Sequence, residues 1–286
     1  MKAEIKKRAG AETTVLREKD GVCLIGYKAL DGIPWLINAF STRLGGVSEG
    51  IYGEMNLSFT VGDDPEHVLE NHRIVGRMIG VAPEDMVLAA QTHTANVMRV
   101  GEEHRGMGLV RERSYTDVDG IMTDAPGLCL VTSYADCVPL YFVDPVHRAI
   151  ALSHSGWRGT VANIAQNTVT EMHKAFGSSP EELIVCIGPS IAAECYEVGE
   201  DVAEAFRNAY PKEEAGRILT AEPGKEGKYL LDLTEANVCN LRKAGVREEH
   251  VQKPDLCTAC NASWMHSHRA SNGKRGGMSA FLCIRP

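Results

Sequence analysis

A chain of 286 residues, 44% hydrophobic and 24% charged, has the composition of a globular protein able to bury a sizeable core. Its formal net charge of −8 argues against a general nucleic-acid or membrane-surface binder, while leaving room for a local basic pocket that takes a small anion. No apolar run approaches the roughly 20 residues of a transmembrane helix, no apolar stretch follows the basic first residues as in a secretory leader, and nine scattered cysteines fit a reducing cytoplasm better than a disulfide framework.

About the first 20 residues are polar and read as an edge strand or a peripheral start. Val22 to Tyr27 and Pro34 to Ser41 are apolar runs of strand length, followed by a Gly-rich turn from Thr42 to Gly50. Asp63-Asp64-Pro65 is a helix start, an acid at the cap and Pro in the first turn, and Val68, His72, Val75 and Ile79 keep a helical period behind it. Met86 to Ala90 reads as a strand ending on Gln91 and His93, and Asn96 to Val100 as a second short one. Leu128 to Thr132, Val138 to Val143 and Ala149 to Leu152 are strand-like, with a turn at Asp144-Pro145. A helix is expected from about Thr160, its buried face carrying Val161, Ile164, Ala165, Thr168, Met172 and Phe176. Leu183 to Ile187 is a strand, Asp201 to Ala209 and Leu233 to Ala244 are helices, the latter ended by Gly245, and Ser279 to Ile284 closes the chain as a strand. Strands and helices mix without strict alternation, with no repeat or linker. The expectation is one mixed α/β (α+β) domain over residues 1–286, mixed sheets layered with helices.

Three short polar motifs sit at the ends of apolar runs: QTH (Gln91 to His93), ADC (Ala135 to Cys137) and HSGWRG (His154 to Gly159). Each supplies one metal-ligating side chain. Two imidazoles and a thiolate suit zinc, and three protein ligands leave a tetrahedral position open for water or substrate. Asp136, beside Cys137, is a candidate proton carrier, or else orients a ligating histidine. Asp119 and Asp124 lie nearby as acids of the solvated loop type. The HSGWRG turn could receive an anion at a helix start, with Arg158 adding charge, or be an ordinary strand-to-helix turn. Arg43 in its Gly-rich loop is the first candidate to hold a phosphate, the alternative being a plain hairpin. Cys257 and Cys260 form a single CxxC, weak by itself as a sign of an auxiliary metal or redox role. The residues alone admit three readings: a zinc enzyme; a metal-free hydrolase with Cys137 as nucleophile and His154 as base; and a binding protein, which has no need of a Cys/His set at strand ends.

Taken in order, STRLGGVS, QTHTANV, DVDGIMTDAPGLCLVTSYADCVPLYFVDP, HSGWRGTVANI, IGPSIAAECYEVGEDV, LDLTEANVCNLRKAGV and CTAC followed by SHRA resemble the YfiH family, also called the laccase-domain or multicopper polyphenol oxidoreductase family. The resemblance runs from about Phe40 to the C-terminus. It implies a metal site of His93, Cys137 and His154, and a cytoplasmic zinc enzyme acting on purine nucleosides with inorganic phosphate. The implied reactions are phosphorolysis of adenosine, inosine, guanosine and S-methyl-5′-thioadenosine, and deamination of adenosine. Bacterial relatives are also described as peptidoglycan-precursor editing factors. The family name implies copper, yet this sequence lacks the paired histidine clusters a laccase needs. The chain departs from the family where an aromatic pair often precedes S-x-R-R: it reads Trp264-Met265-His266-Ser267-His268-Arg269, at the pocket edge.

Overall fold

Runs such as Val138–Asp144 and Met278–Ile284 are buried at every position rather than at alternate ones, because both faces of these strands are covered. The computed structural model describes residues 4–8, 10 and 12–286. Two six-stranded sheets dominate it. The first runs in the order β1 (Thr14–Lys19), β2 (Val22–Tyr27), β3 (Leu36–Ser41), β15 (Met278–Ile284), β7 (Cys129–Tyr134), β4 (Met86–Leu88). The second runs β14 (Val251–Gln252), β10 (Ile184–Ile187), β8 (Val138–Asp144), β9 (Ala149–Ser155), β6 (Gly120–Thr123), β5 (Val97–Arg99). Both are mixed: β4 is parallel to β7, β5 to β6 and β14 to β10, while the central pairs are antiparallel. A small third sheet holds β11 (Glu197–Gly199), β13 (Lys228–Leu231) and β12 (Leu219–Ala221).

Side-chain alternation sorts the core into layers. Ala280, Leu282 and Ile284 of β15 meet Tyr141 and Val143 of β8 and Ile150 and Leu152 of β9 between the sheets. Tyr141 also donates from its hydroxyl to the Ala39 carbonyl at 2.8 Å, tying the two sheets together. Phe281 and Cys283 point the other way, with Val75 of α2 (Pro65–Ile79). On the far side Phe142 and Ala151 pack with Ile164 and Met172 of α4 (Ile164–Phe176) and Leu241 of α7 (Leu233–Lys243). The order is helix, sheet, sheet, helices. The remaining α-helices among the described residues are α1 (Lys28–Asp31), α3 (Trp157–Val161), α5 (Glu200–Ala209) and α6 (Lys212–Ile218).

The mixed α/β architecture agrees with the sequence, and α2 starts as expected: the Asp64 carboxylate accepts from Glu66 N at 2.9 Å and Pro65 opens the first turn. Of the two readings of the chain's start, the edge strand holds for Thr14–Lys19, since β1 ends the first sheet and pairs with β2 along its whole length. Three details differ. The helix expected from about Thr160 is two helices. The first begins at Trp157, and Asn163 in the left-handed conformation (φ 61°) then breaks the run and caps the second through its side-chain oxygen. The strand β6 lies inside DVDGIMT, where no long apolar run marks it. The third sheet and α6 are short and carry several exposed residues, so they leave no strong periodic signal.

Candidate metal centre and substrate cavity

Two of the three polar motifs, QTH and ADC, fall where the chain passes from one six-stranded sheet to the other, and the third ends a central strand that faces them. His93 lies in the crossover from β4 to β5, and Cys137 ends the crossover from β7 to β8. His154 is near the end of β9, on the face that its neighbours Ile150 and Leu152 turn toward the space between the sheets. Two crossovers and the inner face of β9 thus bring side chains from three distant segments together. The ligating atoms of His93, Cys137 and His154 all lie within 4.8 Å of one another.

Local backbone fixes each of them. His93 has φ 67° and Asp136 has φ 88°, both in the left-handed region that ordinary residues seldom occupy. Gln91 clamps the first loop to β7: its amide donates to Ser133 O at 2.8 Å and accepts from Ser133 N at 2.6 Å. Gly156 is required by the cradle itself. A Cβ there would lie 3.0 Å from the His93 ring and 3.1 Å from the Cys137 sulfur.

Asp119, fully buried just before β6, organises the centre. Its carboxylate accepts from Thr92 N (2.9 Å), His93 N (3.1 Å), Thr94 N (2.9 Å) and Thr94 Oγ1 (3.0 Å), and meets His154 Nδ1 at 2.7 Å. Burial pushes the Asp119 pKa up, but these donors, His154 foremost, outweigh it and bring it down to about 2. With Nδ1–H given to the carboxylate, His154 presents Nε2 to the cradle. Enclosure raises the Cys137 pKa, yet the two imidazoles bring it down to about 6. Burial lowers that of His154, while the Cys137 thiolate and Asp119 lift it to about 9.

These features fit a metal ion: two imidazoles and an easily ionised thiol, an oriented histidine, and a space that the absent Gly156 side chain leaves open. Among the described residues the only other such group is made of three cysteines, Cys195, Cys257 and Cys260. Neither group is a paired histidine cluster of the kind a multicopper oxidase uses.

The centre opens into a cavity of about 880 Å³. Aromatic walls come from Phe59, Tyr115, Tyr134, Trp157 and Tyr196, and cationic groups from Arg113, Arg158, Arg269 and Arg275. Arg158 stacks over Trp157, its guanidinium carbon 4.4 Å from the ring centroid. Arg275 is half-buried, donates from Nη1 to Gly276 O at 3.0 Å, and leaves a buried Nε without a partner among the described residues.

Two sequence expectations need correction. Arg43 does not line this cavity. Its guanidinium donates to Gly53 O (3.0 and 2.7 Å) and Ala262 O (3.0 Å), so the Gly-rich loop uses it as an internal tie. Arg43→Ala is therefore expected to cost stability, about 1–3 kcal/mol for the carbonyls left unpaired, read as a lowered midpoint in thermal or urea unfolding. Asp136 does line the cavity, but its carboxylate is engaged by Thr258 Oγ1 (2.6 Å) and Arg269 N (2.7 Å) and orients neither histidine. The orienting carboxylate is Asp119, which from sequence looked like a solvated loop acid. Nothing local announces its role, because its partners lie 25 or more residues away.

A layered two-sheet fold of this kind is that of the YfiH-type proteins. The chain belongs to the family described as multi-copper polyphenol oxidoreductase laccase, which matches residues 37–285. It is 36% identical over 263 residues to a purine nucleoside phosphorylase of Bacteroides thetaiotaomicron, covering 91% of this chain and 96% of that one. It is 34% identical over 244 residues to adenosine deaminase RL5 from an unknown prokaryotic organism, covering 85% and 90%. The crystal structure of the Bacillus licheniformis hypothetical protein YfiH superposes with a TM-score of 0.87 at 32% identity, covering 94% of this chain and 99% of that one. No described helix is long and apolar enough to cross a membrane.

Proposed function

We propose that this chain is a zinc-dependent purine nucleoside enzyme that cleaves adenosine, inosine, guanosine and S-methyl-5′-thioadenosine with phosphate and deaminates adenosine with water. The observation that carries the reading is the convergence of His93, Cys137 and His154 over Gly156, at the base of a cavity walled by aromatic rings and arginines. Relatives named for both activities support it. A zinc ion bound by these three side chains would supply a Lewis acid with an open position for activating water or polarising the substrate. Asp119 holds the His154 tautomer that the ligand role needs. Tyr115, Trp157 and Tyr196 offer flat faces for a purine. Arg158 and Arg275, which line the cavity as Arg43 does not, take the anion-binding role, Arg275 with an unpaired donor already in a desolvated setting. Asp136 keeps its carboxylate for the loop of Arg269, and no proton transfer is assigned to it.

In phosphorolysis a phosphate oxygen forms the bond to ribose C1′ as the bond to the purine nitrogen breaks. The purine takes a proton and ribose 1-phosphate leaves. Chromatography of products from adenosine tests the reading. Adenine only when phosphate is present, with inosine and ammonia formed without it, supports it. No turnover of any purine nucleoside, with cleavage of a muropeptide precursor instead, overturns it. Arg275→Ala is expected to lose phosphate-dependent turnover about tenfold or more, roughly 1.4 kcal/mol, while deamination falls less.

One observation favours a second reading. Cys137 at about 6 beside His154 at about 9 is a thiolate–imidazolium pair, as a cysteine hydrolase uses. Alkylation separates the two. In metal-stripped protein the thiolate fraction rises with pH, so the iodoacetamide rate at Cys137 should be half-maximal near pH 6. In untreated protein a metal ligand is protected and reacts only after chelation. Rapid labelling of the untreated protein would favour the hydrolase.

A further inference from the structure

The CxxC of Cys257 and Cys260 does not stand alone. The turn Ala193–Cys195 brings Cys195 against it, from a segment about 60 residues earlier. The three sulfurs lie within 4.8 Å of one another, and Cys195 Sγ is 3.4 Å from Cys260 Sγ. Ligand sulfurs at about 2.3 Å from a tetrahedral ion stand roughly 3.8 Å apart, so only small shifts would close this group on a cation. The backbone is arranged for a thiolate: Cys257 Sγ accepts from Ala192 N at 3.3 Å and from Cys260 N at 3.5 Å. The second of these is a cysteine's own i+3 amide folding back on its sulfur, as in a metal-binding knuckle. Access is not obstructed, since Cys257 is buried, Cys195 half-buried and Cys260 exposed. A disulfide would use only two of the three sulfurs and would leave the amide-bonded Cys257 without a part.

We propose that Cys195, Cys257 and Cys260 form a second metal site, a structural one, binding zinc through three thiolates with water as the fourth ligand. It lies outside the His93 centre and does not depend on the nucleoside reading. Its place in the fold gives it a task. Cys195 precedes Tyr196, a wall of the cavity, and Cys257 precedes Thr258, whose hydroxyl holds Asp136. The two segments also meet through a backbone bond, Thr258 N to Ser190 O at 3.1 Å, and through Arg269, whose guanidinium lies over the Tyr196 ring. A bound cation would cross-link them and set the cavity wall.

Metal analysis of protein purified with zinc tests this, using Cys137→Ala to empty the first site and Cys260→Ser to empty the second. The Cys137→Ala protein should retain one equivalent of zinc and, loaded with cobalt instead, show an intense near-ultraviolet sulfur-to-cobalt charge-transfer band. Cys137→Ala with Cys260→Ser should lose both. Should Cys260→Ser fail to fold, alkylation of the Cys137→Ala protein gives the same answer: Cys195 and Cys260 are expected to resist iodoacetamide until a chelator is added. A folded Cys137→Ala protein without metal, or intact mass showing a Cys195–Cys260 disulfide with the zinc equivalent missing, would overturn the proposal.

Discussion

Replacing Cys137 with alanine is expected to empty the centre between His93 and His154 and to abolish nucleoside turnover, while the protein stays folded. Cys137 stands just before β8 at the cavity and is only half-buried, so the small truncation removes little core packing. What it removes is the one anionic ligand. Two imidazoles alone hold a divalent ion far less tightly, and the thiolate's attraction to His154 goes with it. A loss of at least about three orders of magnitude in kcat/KM, roughly 4 kcal/mol of transition-state stabilisation, is the expected size. Unfolding curves close to those of the parent, zinc content lower by one equivalent, and absent turnover are the three readings. Full activity in folded Cys137→Ala protein would remove this centre from the mechanism. Full metal content with no activity would instead favour Cys137 as a nucleophile.

Central strands of the two sheets were legible because they are buried on both faces: continuous apolar runs such as LCLV, VPLYFV and SAFLCI have few alternatives, whereas short strands such as β6 and β14 carry no such run. The three candidate ligands were legible for the opposite reason, as polar residues where such runs end. What could not be read was partnership over long separations. Arg43 beside two glycines has the local look of an anion cradle, and only the fold shows its guanidinium committed to the carbonyls of Gly53 and Ala262. Asp119 looks like any acid in a turn until β6 and β9 pair and set it against His154. Cys195 joins the CxxC for the same kind of reason: the bridge between Ser190 and Cys257 brings the two segments together. Local patterns carry burial and periodicity, whereas the roles of Arg43, Asp119 and Cys195 depend on which segments the sheet topology makes neighbours.

Asp119→Asn should be the most damaging change outside the ligands themselves. The carboxylate accepts four hydrogen bonds from residues 92–94 and one contact from His154, all in a fully buried position. An amide has a single acceptor oxygen, so whichever way it turns, its NH2 group faces donors and some are left unpaired. Breaking a buried pair of this kind costs about 3 kcal/mol, and a histidine that loses its orienting carboxylate weakens metal affinity about 10- to 100-fold. The stability loss has a pH signature. The folded pKa of Asp119 is depressed from 3.8 to about 2, so its contribution is fully present above about pH 4 and is lost as the pH falls toward 2. Urea unfolding of metal-free parent and variant should therefore differ most at neutral pH and converge in acid. A difference that is constant across this range would mean that the charge of Asp119 is not what holds the QTH loop and His154 in place.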